Sequence, residues 1–157
     1  VKSIDDLADP HVRHIGIGEP TTVPAGKYAQ ETLQNLGRWD ELQSKLVMAS
    51  DVHKILAYVQ TGSAEAGFVY RSDALTADKV HIAKVIDGRL HSPIVYPAAV
   101  VSTSQNRSAA LDFLDYLQSS EASQVFARYG FKPLNAHPSA AVTKTTPGSE
   151  TVPKKGT

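Results

Sequence analysis

Three stretches of this chain carry residue types that could hold an anion. Val23-Pro24-Ala25-Gly26-Lys27-Tyr28-Ala29 and Ser50-Asp51-Val52-His53 both read as helix starts, and Ala66-Gly67-Phe68-Val69-Tyr70-Arg71-Ser72-Asp73 closes an apolar run on a tyrosine. The first N–H groups of a helix have no intrahelical acceptor, so each start offers donors that a tetrahedral oxyanion can accept without a counter-charge. A phenol aimed at the same point adds one more donor. The same residues also admit a plainer reading. Pro24-Ala25-Gly26 is a good helix start in any protein, Tyr70 suits a core tyrosine with a satisfied hydroxyl, and Lys27 suits a solvated side chain.

Other chemistry is sparse. The absence of cysteine rules out disulfides, a thiol nucleophile and thiolate metal sites, and fits an extracytoplasmic setting. His11 and His14 straddle the entrance to a strand, where residues three apart point to opposite faces, so they make a poor metal pair. Gly16-Ile17-Gly18-Glu19-Pro20-Thr21 begins like a dinucleotide fingerprint but lacks its third glycine. There is no Gly-x-Ser-x-Gly elbow and no recognisable Ser, His and Asp triad, so no catalytic residue is expected and the chain reads as a non-enzyme. Asn106-Arg107-Ser108 reads as a helix cap rather than a glycosylation acceptor.

The elements that must position these residues alternate between short apolar runs and helical patterns, which predicts an α/β fold. His14 to Ile17, Leu46 to Ala49, Ala66 to Tyr70, Val80 to Ile86 and Pro93 to Val101 read as strands. Helices are expected from about Ala25 to Leu36, around Trp39, Leu42 and Leu46, from Ser50 or Asp51 through Val59, from Ser108 to Gln118, and from Glu121 to Tyr129. Gly37, Gly62 and Gly130 stand where three of these helices should stop. From about residue 135 to 157 large apolar side chains nearly vanish, predicting a flexible tail.

A length of 157 residues supports one domain with a substantial core. Sixteen basic residues balance sixteen acidic ones, so no broad field favours nucleic acid or an anionic membrane. No apolar run approaches the roughly 18 residues of a membrane span. The chain begins Val1-Lys2-Ser3-Ile4, which suggests a processed or cut product.

Taken in order, these motifs resemble the molybdate-binding proteins of bacterial molybdate ABC importers, a family of type II periplasmic binding proteins. The resemblance runs from about Ile4 to Phe131. It includes Gly18-Glu19-Pro20, the box from Val23 to Ala29, Gly67 to Ala74, Pro93-Ile94-Val95-Tyr96-Pro97-Ala98-Ala99-Val100-Val101, and Tyr129-Gly130-Phe131. The separations also fit, with 27 residues from Ala25 to Val52 and 18 from Val52 to Tyr70.

The resemblance implies an oxyanion held between two α/β lobes joined by a hinge. Carried over by motif, the ligand-binding groups here are the backbone N–H groups of Ala25 and Val52 and the hydroxyl of Tyr70. No metal cation is held directly, no cofactor is implied, and the ligand is molybdate or tungstate. Sulfate or phosphate is the alternative oxyanion. Two further serine donors belong to a first lobe absent from this chain, and Ser3, Ser44 and Ser63 do not sit in matching motifs. The implied organisation is residues 1–12 as a remnant of the first lobe or hinge, 13–98 as the second, ligand-binding lobe, 99–134 as the hinge return and C-terminal helices, and 135–157 as tail. A mixed sheet flanked by helices is expected, along with a periplasmic location and a membrane permease as partner.

Two departures stand out. Asp51 occupies a place where the family commonly has Asn, and capping of its own helix is the favoured role; Glu19 replaces the usual Asp. Without the first lobe, Leu111, Phe113, Leu114, Leu117, Val125 and Phe126 would leave an apolar face uncovered. Self-association by exchange of these helices is therefore expected, the opposite possibility being that they fold back onto residues 13–98 as one compact unit. A lobe that survives only as an oligomerisation or interaction module is the remaining alternative.

Overall fold

The computed structural model describes residues 1–133, so the tail expected from residue 135 lies outside the described residues. Its centre is a three-stranded sheet of β1 (Ile15–Gly18), β2 (Leu46–Ala49) and β3 (Ala66–Gly67), in the order β2-β1-β3. Both pairs are parallel, with Ile15 opposite Leu46 on one side and opposite Ala66 on the other. Helix α1 (Pro24–Asn35), the short α2 (Trp39–Leu42) and a 3-10 turn lead from β1 to β2; α3 (Val52–Gln60) leads from β2 to β3.

The sheet is covered on both faces, as parallel sheets require. Ile15 and Ile17 are fully buried in a cluster with Leu7, Val12, Ala29, Leu33 and Leu42, which places α1 and α2 over one face. Gly16 and Gly67 point to the other. A Cβ at Gly16 would stand 2.9 Å from Ile55 Cγ2, and one at Gly67 would stand 2.5 Å from it, so two glycines let α3 settle closely on the sheet. Because β2 and β3 flank β1 on opposite sides, right-handed crossovers put α1 and α3 on opposite faces.

Local signals set the ends of these helices. Pro24 opens α1, where its missing N–H costs nothing. Asp51 caps α3 by accepting the Lys54 N–H at 3.0 Å, the role expected for it. Gly37, Gly62 and Gly130 all carry positive φ, and the residues after them close the helices, with Arg38 N–H donating to the Leu33 carbonyl and Ser63 N–H to that of Tyr58.

Beyond β3 come α4 (Arg71–Thr76), α5 (Arg107–Leu117) and α6 (Ser120–Arg128). The mixed sheet expected from the sequence narrows to the three parallel strands. Among the described residues, Val80 to Ile86 and Pro93 to Val101 form no ladder, and Ala66 to Tyr70 pairs only over its first two residues. Residues 79–86 line a cavity together with β3 without pairing with it. Alternating apolar residues supply strand propensity, but a strand needs a neighbour within bonding distance.

Candidate functional site

The three positions singled out by the sequence all sit where the strands end. β1 leads through a turn closed by Val23 N–H on the Glu19 carbonyl (2.8 Å) into α1. β2 leads through Ser50 and Asp51 into α3, and β3 runs on through Phe68 and Val69 to Tyr70, which precedes α4. The carboxyl edge of a parallel sheet whose order reverses around β1 is the usual place for a ligand crevice.

In the first turn of α1 the N–H groups of Gly26 and Lys27 are both committed to the Val23 carbonyl, at 2.9 and 3.2 Å. Pro24 has none to offer. The N–H of Ala25 has no acceptor among the described residues, although Ala25 is buried. Its placement depends on glycine, because a Cβ on Gly26 would overlap the Gly18 carbonyl oxygen; at Gly18 a Cβ would stand 2.6 Å from Val23 Cγ1, so close packing and not a phosphate loop accounts for that glycine too. At α3, Lys54 N–H is taken by Asp51, and Val52 N–H is left without an acceptor among the described residues. The Asp51 carboxylate is held by its own helix and by the Ser50 hydroxyl (3.0 Å), and these bonds lower its pKa.

Tyr70 is half-buried. Burial, with Tyr96, Tyr28 and Asp73 nearby, raises its pKa, so it is a neutral phenol with a proton to donate at physiological pH. Ala25 and Tyr70 line one cavity of about 500 Å³. Val52 does not line it; α3 contributes Ile55, Leu56 and Val59 instead. The structure thus brings two of the three expected groups to one space and leaves the third at the same sheet edge. Lys27 is exposed, 3.9 Å from Glu31, as a solvated side chain.

Charge there is mixed, since after burial and the neighbouring tyrosines the Asp73 carboxylate also acts on the Tyr70 phenol. Arg71, Lys79 and Lys84 line the cavity against one carboxylate, Glu65, which is already occupied by the N–H groups of Arg13 (2.9 Å) and His14 (2.8 Å). Those bonds hold its pKa low. Two lining residues escaped the sequence reading as site groups: Tyr28 and His91. Tyr28 could have been found by spacing. It stands three residues after Ala25, and a long helical side chain leans back over the preceding turn.

Residues 1–132 match the model of a family described as bacterial extracellular solute-binding protein. The chain is 44% identical over 131 residues to YvgL of Bacillus subtilis, assigned as an ABC transporter substrate-binding lipoprotein, covering 83% of this chain and 50% of that protein. It is 42% identical over 117 residues to the molybdate-binding protein ModA of Escherichia coli, covering 74% and 45% respectively. Among solved structures, a substrate-binding domain assigned to a molybdenum ABC transporter of Clostridium difficile superposes with a TM-score of 0.80 at 43% identity, covering 85% of this chain and 58% of that one. The chain spans about half the length of the curated relatives it matches.

Proposed function

From the premise that the chain belongs to the bacterial extracellular solute-binding protein family, we propose that it forms one lobe of a molybdate or tungstate receptor that delivers its ligand to an ABC permease, in the periplasm. The observation that carries this reading is that Ala25, with its uncommitted N–H, and the neutral phenol of Tyr70 line one cavity. The names of the relatives favour molybdate as the anion. The ligand-binding groups are the N–H of Ala25, the N–H of Val52 and the hydroxyl of Tyr70. Neutral donors and helix starts stabilise a dianion through charge-assisted hydrogen bonds, and they reject a protonated oxyanion, whose hydrogen would meet only donors.

Residues 13–98 make up this lobe, with 1–12 leading into it and lending Leu7 and Val12 to its core, and α5 and α6 following the return segment. The remaining donors come from the half of the relatives' length that this chain does not span. No step of this function makes or breaks a covalent bond, and no cofactor takes part. In the 157-residue chain by itself, copies associate through the apolar faces of α5 and α6.

The test is a calorimetric titration of the chain with molybdate, with sulfate as control and mass from light scattering alongside. Binding of molybdate in preference to sulfate supports the reading. Equal affinity for sulfate would make this a general oxyanion lobe, and a complete absence of binding even after the other lobe is added would reject it. A monomer at every concentration would remove the self-association.

A further inference from the structure

One stripe of α1 grips a segment far along the chain. Tyr28, Glu31 and Asn35 stand at i, i+3 and i+7 of that helix, on one side of it. The Glu31 carboxylate uses both oxygens on Ser92: Oε2 accepts its N–H at 2.6 Å, and Oε1 accepts its hydroxyl at 3.0 Å. Asn35 Nδ2 donates to the Leu90 carbonyl at 2.9 Å. The Tyr28 ring lies 5.7 Å from that of His91, tilted by 54°, and His91 Nδ1 donates to the Ser92 carbonyl at 2.8 Å. Three side chains of one helix thus hold three successive residues of a loop.

The grip matters because the chain beyond the loop has no ladder to hold it. No N–H of residues 94–101 finds an acceptor among the described residues, so the secondary structure does not fix where this segment begins. His91 and Ile94 nevertheless line the same cavity as Ala25, Tyr28 and Tyr70. The helix that presents the Ala25 N–H at its first turn also carries the residue that anchors this part of the cavity wall.

We propose that Glu31 is a positioning residue of the anion site, fixing His91 and Ile94 as a wall of the cavity by holding Ser92 from two directions. This rests on the oxyanion-receptor reading above. A carboxylate suits the task because it accepts an N–H and a hydroxyl at once, in short charge-assisted bonds. The bonds are exposed, so their net contribution to global stability is small. Their effect falls on local order and on the ligand.

The experiment compares the parent chain with Glu31→Ala and Glu31→Gln by amide hydrogen exchange without ligand, thermal melting, and calorimetric titration with sodium molybdate. For Glu31→Ala, the expected result is exchange at the Ser92 amide about tenfold faster or more, an almost unchanged melting temperature, and molybdate affinity about tenfold weaker. Glu31→Gln keeps one acceptor oxygen and should fall between the two. Unchanged exchange overturns the proposal outright. Faster exchange with unchanged affinity overturns the positioning role and leaves only a surface staple. A parent chain that binds no molybdate even after the other lobe is added removes the site Glu31 is said to position; because the exchange result does not depend on ligand, that failure is told apart from failure of the grip.

Discussion

Residues 7–64 and residues 80–131 have similar apolar content but different fates. Among the described residues, every fully buried hydrophobic side chain lies between Leu7 and Ala64 except Ala122. In the first region α1 and α3 each find a face of a sheet, and Ile15, Ile17, Leu33 and Ile55 lose all contact with water. In the second, α5 has no buried residue, Phe113 is 58% exposed, and Val95 and Tyr96 are 67% and 66% exposed. The helices of both regions are amphipathic and well formed. Amphipathic periodicity makes a helix and gives it an apolar stripe; a partner surface is what turns that stripe into core. The second region has its stripes and lacks the surface.

The sharpest way to break this contrast is at Gly26. Alanine there drives a Cβ into the Gly18 carbonyl, with backbone on both sides and nothing flexible to yield. A loss beyond about 4 kcal/mol is expected, seen as the disappearance of a cooperative thermal transition, together with loss of anion binding as Ala25 is displaced. Next come truncations that weigh the two regions directly. Leu33→Ala or Ile55→Ala should cost about 2–5 kcal/mol in denaturant unfolding. Phe113→Ala should cost within about 0.5 kcal/mol and instead lower the mass seen by light scattering. Equal costs for Leu33→Ala and Phe113→Ala would end the distinction between core and uncovered face.

Tyr70→Phe tests the site without touching the core. Loss of one hydrogen bond to a charged ligand should weaken molybdate binding by about 1.5–3 kcal/mol, with the melting temperature held. Unchanged affinity would remove Tyr70 from the site. The smallest effect is acid sensitivity. Bonds from the N–H groups of His14 and Arg13 depress the Glu65 pKa, and those from Lys54 and Ser50 depress that of Asp51. A carboxylate depressed in the folded state stabilises it above its unfolded pKa, and that contribution is lost as pH falls through the folded value. Melting temperatures should therefore hold from neutrality to about pH 5 and decline below about pH 4, and Glu65→Gln should shallow the decline.

Much of the fold was legible because its signals are local. The starts of α1 and α3, their stops at Gly37 and Gly62, and the capping by Asp51 each depend on residues within a turn of one another. The strand reading failed where it depended on a distant partner: Val80 to Ile86 and Pro93 to Val101 carry the apolar residues of strands, and among the described residues no strand pairs with them. The candidate site divides the same way. The sequence pointed to Ala25, Val52 and Tyr70 together, while the fold gathers Ala25 and Tyr70 around one cavity and adds Tyr28 and His91.

By itself, the sequence determined the α/β alternation, where the principal helices begin and end, and the family to which the chain belongs. Tertiary structure alone decided the order β2-β1-β3, the partial burial of Tyr70 beside the cavity, and the contacts from Glu65 to His14 and from Glu31 to Ser92, which join residues 51 and 61 positions apart. The physical reason is one of range. Capping and helix termination are fixed by steric and hydrogen-bond rules acting over a few residues, whereas a cavity wall and a parallel pair exist only once distant segments have packed.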